Sequence, residues 1–497
     1  MTVSIAPATP SPSQPAGDRR LKANALRLGD TVVLAMASSG PTQSIAASMA
    51  ALLVAVAYAG FLPLAICFVP MLGIAIGYQR LNAWQPSAGA TYSWVGRVLN
   101  PHAGFFAGWI MLMYYTIGTV SLTPLLGSYL LSFFSASAAN DKYDTALIGT
   151  LLNLLVLGVA ALGIKLSARF QWAWAIFEYL VLLGFCAVAI GLIYTGHLHH
   201  TVHLAASWFT VSGAGGFHAL IAGVLVAIFL YSGWDTAAYV GEEVQGRGAG
   251  RAAITSVVLL FVIYSIGIVA LQGVAPDSAL QAHAADVLAF VGSKIGGGFW
   301  ADVMIVAVLG GTLASLQAAI VSAGRISFAM GRDRVFPRWF GAVNTRYHSP
   351  MNATILVGLS NVVFLWGSTL VGSIGNALSD IVSTLGLIAA MFYLLTSATA
   401  IWCYRRSIMS SAANFWLGGV LPGVGAAFMA FVIIYELATN ALNGVELGFG
   451  FGFAAFGLVL SFISSRIGKA RFYSDPTVSH GETIGLELEG AAPAPGR

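Results

Sequence analysis

The stretch from Thr31 to Gln79 contains no charged residue. A helix that crosses a bilayer needs about 20 apolar residues, so this stretch is long enough for two. Gly60 and Pro63 lie inside it and favour a turn between the two helices. Only 8% of the whole chain is charged, whereas a soluble domain carries about 25% charged residues. The chain is therefore predicted to be an all-α integral membrane protein.

Twelve apolar segments along the chain are each long enough to span a bilayer, so we predict 12 transmembrane helices. Their approximate bounds are 31–57, 61–79, 103–133, 146–164, 170–195, 216–240, 252–274, 301–329, 351–371, 378–403, 414–437 and 446–465. The composition of residues 1–28 and 471–497 predicts a disordered tail at each end.

The basic residues indicate the orientation. If both termini lie in the cytoplasm, 21 of the 23 lysines and arginines fall on the cytoplasmic side, and only Lys142 and Lys294 fall on the other. Short loops rich in Lys and Arg stay cytoplasmic. We therefore expect a multi-pass protein of the cell inner (plasma) membrane with both termini cytoplasmic. This distribution also accounts for the net charge of +4 without a nucleic-acid partner.

Two of the predicted helices are interrupted. The first carries ASSGPTQS from Ala37 to Ser44, where Pro41 removes a backbone donor near the middle of the helix. The sixth carries a glycine and a carboxylate, Gly233 and Asp235, inside an apolar run. Backbone groups freed at bilayer depth need partners from protein or water. One break is interpreted as a kink, but two breaks in corresponding positions of two halves point to the binding site of a transporter.

The two breaks lie five helices apart. A five-helix unit that is repeated once enters the membrane from opposite sides, because an odd number of crossings inverts the second copy. Residues 31–195 and 216–403 would then form an inverted pair, with the broken first helix of each half facing the other.

Glu178 and Asp235 are the carboxylates predicted to lie deep in the membrane. Glu178 lies about nine residues, roughly 13 Å, into the fifth predicted helix. A charge at that depth is costly unless it is paired or neutralised, so Glu178 is a candidate for proton coupling. The alternative is an acid that stays protonated and only bonds a neighbouring helix. Asp302, Asp380 and Glu436 lie near helix ends and are expected to be solvated.

Aromatic residues crowd the same region, with Tyr231 and Trp234 in the sixth predicted helix and Tyr114 and Tyr115 in the third. They could close over a substrate or hold an ammonium group by cation–π attraction. The alternative is that they only pack, as most aromatic residues at helical spacing do. We expect one of the two helix-three tyrosines to do so.

Other kinds of chemistry have less support. His197, His199, His200 and His203 lie in a predicted outer loop and are interpreted as a solvated polar segment rather than a metal site. The three cysteines fall in apolar runs without metal-ligand spacing. The sequence contains no Ser/His/Asp order, phosphate-binding loop or pair of catalytic carboxylates. We therefore predict neither an enzyme nor a cofactor.

Four segments carry a resemblance to a known family. They are ASSGPTQSI at 37–45, PSAGATYSW at 86–94 with GFFAGW at 104–109, YSGWDTAAYVGEEV at 231–244, and GRISFAMGRDRVFP at 324–337. With them the chain resembles the amino acid-polyamine-organocation superfamily of secondary transporters over about Asp30 to Arg406.

The resemblance implies a leucine-transporter-type fold, a 5+5 inverted repeat followed by two C-terminal helices. Residues 29–406 would form the transport core and residues 407–470 the last two helices. It also implies that the amino and carboxyl groups of the substrate bind the unwound backbones around Ser38 to Thr42 and Tyr231 to Asp235. The candidate substrate-binding residues are Ser38, Ser39, Gly40, Pro41, Thr42, Tyr115, Tyr231, Ser232, Gly233, Trp234 and Asp235.

Two departures from the family pattern affect the expected mechanism. Glu178 stands where proton-coupled relatives often have a lysine, and QGRGAG at 245–250 lacks the usual Asn-Pro. The sequence thus predicts a permease that moves amino acids, coupled to protons through Glu178. The alternatives are sodium coupling, an exchanger, a polyamine or organic cation carrier, and a transport-dead nutrient sensor. The expected partners are an amino acid or amine, a coupling proton or sodium ion, and membrane lipid, for a monomer or a homodimer.

Overall fold

The computed structural model describes residues 21–198, 201–283, 287–369, 374–439, 444–467 and 470–474. Within these ranges the regular structure is helical, apart from two isolated β-bridges, Leu26–Val244 and Asn344–Ser349. The prediction of an all-α protein is confirmed. Most of both predicted tails lies outside the described residues.

The helices of the first half begin with the two parts of a broken helix. In chain order they are α1 (Leu28–Ser39), α2 (Pro41–Val56), α3 (Phe61–Trp84), α4 (Thr91–Val98), α5 (Pro101–Ser132), α6 (Ala136–Asn140), α7 (Lys142–Ala161) and α8 (Ile164–Tyr194).

The second half also begins with a broken helix. Its helices are α9 (Phe217–Tyr231), α10 (Thr236–Tyr239), α11 (Gly248–Val274), α12 (Asp277–Ala282), α13 (Val287–Gly296), α14 (Gly298–Arg332), α15 (Met351–Ser368), α16 (Ile374–Tyr404), α17 (Ala412–Asn414), α18 (Leu421–Thr439), α19 (Gly444–Ile467) and α20 (Arg471–Ser474).

Ten helices of the described chain are long and apolar enough to cross a membrane, or eleven if the bent pair within 28–59 counts as one span. Gly450–Arg466, within α19, is apolar but shorter. These elements define a protein with many membrane spans. Several exceed their predicted bounds: α3 continues to Trp84, and a π-helical turn, Phe415–Val420, precedes α18.

The second break divides one of the most deeply buried spans. In each of the spans Phe217–Tyr239, Gly298–Arg332 and Thr384–Tyr404, 72% of an apolar stretch of 18 residues is buried. The corresponding share is 28% for Ala412–Thr439 and 33% for Ile164–Tyr194. The segment that contains α9 and α10, together with α14 and α16, therefore lies at the centre, while α8 and α18 lie nearer the outside.

The acids expected to be solvated do not all behave alike. Asp302 is exposed, as expected, whereas Glu436 is only 2% exposed, so that expectation is wrong. Glu436 is buried because α18 packs against α3 and α16 and does not end in solvent on that face. The side chain of Asp380 lies outside the part of the chain whose side chains are described.

Ion pairs close one end of the bundle, which we call the ion-pair end. Arg325 of α14 binds the Glu243 carboxylate at 2.6 Å, and both side chains are at most 2% exposed. Arg332 makes two hydrogen bonds to Glu242, at 3.0 and 3.1 Å. Glu242 also accepts a 2.7 Å hydrogen bond from the Ala88 amide. These contacts join the segment after α10 to α14 and to the loop before α4.

Residues near both ends of the chain pack at this ion-pair end. Leu26 bridges Val244, with its amide donating to the Glu243 carbonyl at 3.0 Å. Phe472 of α20 is 1% exposed and stacks on Tyr92 of α4, with ring centroids 5.0 Å apart. Tyr92 in turn donates to the Asp333 carboxylate at 3.0 Å. Leu26 and Phe472, near the two ends of the described chain, are therefore part of the ion-pair end.

Arg97 of α4 lies in the same layer. Burial lowers the pKa of the Arg97 guanidinium to about 10, and the negative charge of Asp333 opposes the shift. Because a pKa of about 10 is still well above neutral, Arg97 remains charged at neutral pH.

Candidate functional site

The two helix breaks meet at the centre of the bundle. α1 ends because Gly40 is left-handed, with φ 49°, and Pro41 starts α2. Residues 232–235 separate α9 from α10, and Gly233 has φ 106°. A Cβ atom on Gly233 would lie 2.7 Å from the Ser38 carbonyl carbon and from the Ser39 nitrogen. The two backbones are therefore in direct contact, and glycine is required at this position. Both predicted breaks are confirmed.

Hydroxyl groups satisfy the carbonyl groups that the end of α1 leaves free. Ser315 of α14 donates to the Ala37 carbonyl at 2.7 Å, and Ser44 of α2 donates to the Ser39 carbonyl at 2.6 Å. Tyr264 of α11 also donates to the Ser39 carbonyl, at 3.3 Å. Side chains of α2, α11 and α14 thus hold the end of α1 in place.

A cavity lies beside the breaks, on the α2 and α9 side and away from the ion-pair end. Its lining residues are Ser38, Ser39, Gln43, Ser44, Ala47, Tyr114, Tyr115, Gly118, Ser121, Leu122, Leu125, Phe229, Ser232, Ser315, Ala319 and Leu385. Part of the wall carries hydroxyl and amide groups, and the rest is aliphatic or aromatic. Concave sites with a largely apolar wall and a few convergent polar groups are the usual form of small-molecule sites.

The predicted substrate-binding residues divide into two groups. Ser38, Ser39, Tyr115 and Ser232 line the cavity. The others belong to the breaks or adjoin them and are not among its lining residues: Gly40, Pro41, Thr42, Tyr231, Gly233, Trp234 and Asp235.

Tyr231 and Trp234 make packing contacts within the protein. The Tyr231 hydroxyl donates to the Leu64 carbonyl at 3.2 Å. The Trp234 ring stacks on Tyr393 of α16, with centroids 5.4 Å apart and planes 4° apart. Both side chains are fully buried. In this conformation they connect the second break to α3 and α16 and do not face the cavity.

Asp235 is 1% exposed and is enclosed by donors. The Tyr393 hydroxyl lies 3.2 Å from Oδ1, and the Gly233 amide donates to the same oxygen at 3.3 Å. The Tyr115 hydroxyl lies 3.4 Å from Oδ2 and also lines the cavity. Tyr115 therefore separates the Asp235 carboxylate from the cavity.

Glu178 of α8 reaches the start of α2. It is 1% exposed, and its Oε1 accepts a 2.9 Å hydrogen bond from the Thr42 amide. A Cβ atom on Gly311 of α14 would lie 2.9 Å from the same oxygen. A carboxylate at a helix N-terminus is stabilised by the free N–H groups and by the positive end of the helix dipole. Glu178 therefore caps α2 directly behind the first break.

Several cavity residues were not predicted. Ser315 follows the run of small residues Gly310–Gly311 in the eighth predicted helix, and that run was the available signal for a close approach. Leu122, Leu125 and Leu385 gave no signal, because leucine is ordinary in a membrane helix. Whether these leucines line the cavity depends on which face of α5 or α16 is turned toward the breaks.

The described residues contain no group of three His, Cys, Asp or Glu side chains placed to hold a metal ion. His197 lies 2.8 Å from the Thr195 hydroxyl, through its Nδ1 atom. His199 and His200 lie outside the part of the chain that the structure describes.

Comparison with known proteins defines the class. A bundle of many apolar spans around two broken helices and a cavity is a transporter architecture. The family model of the amino acid permeases matches residues 28–463. The chain belongs to this family, within the amino acid-polyamine-organocation superfamily.

Individual relatives are distant. The chain is 24% identical to the branched-chain amino acid permease BcaP of Lactococcus lactis, over 58% of this chain and 64% of the relative. It is 26% identical to the low-affinity putrescine importer PlaP of Escherichia coli, over 60% and 66%. An uncharacterised transporter of Mycobacterium tuberculosis is 27% identical, over 76% and 80%. For the first two, the match spans less than two thirds of the relative's length.

Proposed function

We propose that this chain is a secondary active transporter that moves amino acids across the cytoplasmic membrane by alternating access, with Glu178 as the proton-coupling group. The observation that carries the proposal is the direct contact between two broken helices beside a cavity. Broken helices of this kind present helix ends and free backbone groups where transporters bind their substrates. Membership of the amino acid permease family supports the same class.

The proposed architecture has 12 spans, ten of them in an inverted 5+5 repeat of the leucine-transporter type. Residues 29–406 form the transport core, with repeats at about 31–195 and 216–403, and residues 407–470 add two helices. In the inner membrane, both termini would lie in the cytoplasm, which makes the ion-pair end the cytoplasmic end.

In the proposed site the substrate lies in the cavity, with its amino and carboxyl groups near the two breaks. Ser38, Ser39, Ser232 and Tyr115 would contact it directly, because they line the cavity. The break residues Gly40, Pro41, Thr42, Tyr231, Gly233, Trp234 and Asp235 would shape the backbone around it.

The position of Glu178 supports a physical route to coupling. Its carboxylate holds the Thr42 amide at the positive end of α2, next to the place proposed for the substrate carboxylate. Two carboxylates at one helix end repel each other, so a bound substrate favours the protonated, neutral form of Glu178. A protonated Glu178 also holds the Thr42 amide less tightly, because that hydrogen bond is no longer charge-assisted. Substrate and proton would therefore bind together, as symport requires.

Uptake into proteoliposomes tests the proposal. The purified full-length chain is reconstituted, and uptake of radiolabelled amino acids and polyamines is measured with and without an acidic exterior. We expect a proton gradient to drive uptake of an amino acid by the wild type. In Glu178→Gln the side chain keeps its shape but cannot ionise, so the gradient should no longer drive uptake while exchange of substrate across the membrane persists.

Glu436→Gln is the matched control, because Glu436 is another buried carboxylate, 2% exposed, on α18 and not among the residues that line the cavity. It should retain gradient-driven uptake. Gradient-driven uptake that survives in Glu178→Gln would contradict the coupling role and leave sodium coupling or exchange. Failure to transport any compound would contradict the transporter proposal and favour a nutrient sensor.

One observation favours an alternative cargo. PlaP, a relative of this chain, is a putrescine importer, so a polyamine or other organic cation is the second candidate substrate class. The same uptake panel includes it.

A further inference from the structure

The cavity wall has two chemically different parts. The first part, which we call the hydroxyl face, lies at the breaks and includes Ser38, Ser39 and Ser232. The second, which we call the apolar face, includes Leu122 and Leu125 of α5, Phe229 of α9 and Leu385 of α16. A zwitterionic head group and an apolar tail match this division.

The described part of the cavity wall also carries no charge. Among the residues that the structure describes, those lining the cavity include no Asp, Glu, Lys, Arg or His. The two nearby carboxylates are engaged elsewhere: Tyr115 and Tyr393 lie against Asp235, and the Thr42 amide donates to Glu178. A second positive charge on a substrate would therefore meet leucine and phenylalanine side chains without a counter-charge.

This arrangement discriminates by desolvation. A cation moved from water to an apolar wall loses its hydration and gains no partner, so it binds weakly. An aliphatic side chain in the same place gains about fourfold in affinity for each methylene group that it buries. The balance favours neutral, aliphatic side chains over lysine, ornithine or a diamine.

We propose that the site selects neutral amino acids with aliphatic side chains and rejects cationic amino acids and diamines, with Leu122, Leu125, Phe229 and Leu385 forming the side-chain subsite. This inference rests on the proposed function, and it narrows that proposal to one substrate class.

Counterflow tests it without assuming a coupling ion. Proteoliposomes containing the full-length chain are loaded with an unlabelled compound, and entry of the same labelled compound is followed for valine, leucine, methionine, lysine, ornithine and putrescine. We expect entry of leucine and valine to exceed entry of lysine and putrescine by about tenfold or more. Higher entry of lysine or putrescine would overturn the inference while leaving the transporter proposal intact.

Thermal stabilisation by ligands distinguishes a failure of the transport proposal from a failure of the proposed substrate class. Leucine that raises Tm in detergent but shows no counterflow would support the aliphatic site and overturn the transport function. Putrescine that raises Tm more than leucine does would overturn the substrate class. Asp380→Asn would then show whether a carboxylate of α16 binds putrescine. If this substitution abolished the rise in Tm caused by putrescine, Asp380 would be the carboxylate that binds it, and the site would not be uncharged.

A matched pair of variants tests the subsite itself. Leu122→Asp adds a carboxylate to the apolar face, and Leu122→Asn adds a side chain of the same shape without charge. If Leu122 faces the substrate side chain, Leu122→Asp should transport lysine and ornithine about tenfold faster than Leu122→Asn, through charge pairing. Both should lose leucine uptake, because each places a polar group where the aliphatic chain binds. Equal lysine transport by the two variants would overturn the assignment of the subsite.

Discussion

The bundle is built differently on the two sides of the helix breaks. At the ion-pair end, Glu243 and Arg325 are buried together at 2.6 Å and are at most 2% exposed. On the α2 and α9 side, the cavity wall contains no charged side chain within the described residues. An opening at the ion-pair end must separate buried charges, and each separated charge loses a strong partner. On the cavity side, the described lining side chains carry no charge, so a movement of the wall separates no ion pair between them. Opening of the ion-pair end is therefore opposed by buried ion pairs, whereas opening of the cavity side is opposed by packing and by hydrogen bonds.

The junction between these sides is made of backbone. Gly233 lies against Ser38 and Ser39, and the hydroxyl groups of Ser315, Ser44 and Tyr264 satisfy the carbonyls of the broken helix. This contact fixes how α1 and α10 lie relative to α2 and α9. Substitutions at the ion-pair end, at the junction and on the cavity side should therefore differ in their effects.

Removal of one buried charge should have the largest effect. Glu243→Gln leaves the Arg325 guanidinium buried without its counter-charge, so the free energy of unfolding should fall by about 3–5 kcal/mol. The measurement is thermal unfolding in detergent. Glu242→Gln is the matched control: Glu242 is 14% exposed and pairs with Arg332, so its loss should cost less. Equal destabilisation by the two variants would contradict a special role for the buried pair.

A methyl group at the junction should have the next largest effect. Gly233→Ala forces an L residue to φ 106° and places Cβ 2.7 Å from the Ser38 and Ser39 backbone. Strain and overlap together should cost about 2–4 kcal/mol and should abolish substrate counterflow.

Gly246→Ala provides the control for that variant. Gly246 also has a positive φ, 56°, but a Cβ atom there meets no atom within 4 Å. This variant should lose only about 1 kcal/mol and keep its transport activity. If both variants lost transport equally, backbone strain and not the contact between the breaks would explain the result.

The smallest effect should follow from the loss of one hydrogen bond on the cavity side. Ser315→Ala removes the donor to the Ala37 carbonyl, at a cost of about 1 kcal/mol. Because Ser315 also lines the cavity, substrate affinity should change as well. Ser360→Ala is the control, since the Ser360 hydroxyl only donates to the Val357 carbonyl within α15. If substrate affinity were unchanged in Ser315→Ala, the hydrogen bond from Ser315 to Ala37 would have no role in substrate binding.

Local chemistry made the breaks predictable. Gly40 followed by Pro41 ends one helix and starts another whatever surrounds them, and Gly233 marks the second break in the same way. The uncharged stretch from Thr31 to Gln79 likewise predicts helices in a membrane.

The orientation of side chains could not be predicted in this way. Asp235 was expected to bind substrate, yet Tyr115 separates it from the cavity in this structure. Leu122 and Leu385 line the cavity only because of how α5 and α16 are rotated against the breaks. Glu436 was expected to be solvated from its position along α18, but burial depends on the neighbouring helices. Helix packing, which joins residues far apart in the chain, decides all three.

The stacking of Phe472 on Tyr92 gives the end of the chain a mechanical connection to the ion-pair end. Tyr92 holds Asp333, directly after Arg332, so separation of the ion pairs would also disturb the ring that covers Phe472. A fluorescent label on Ser474, which is exposed and lies two residues further along the chain, would then report the opening of this layer. The C-terminus thus offers an optical readout of the transport cycle without any change to the cavity.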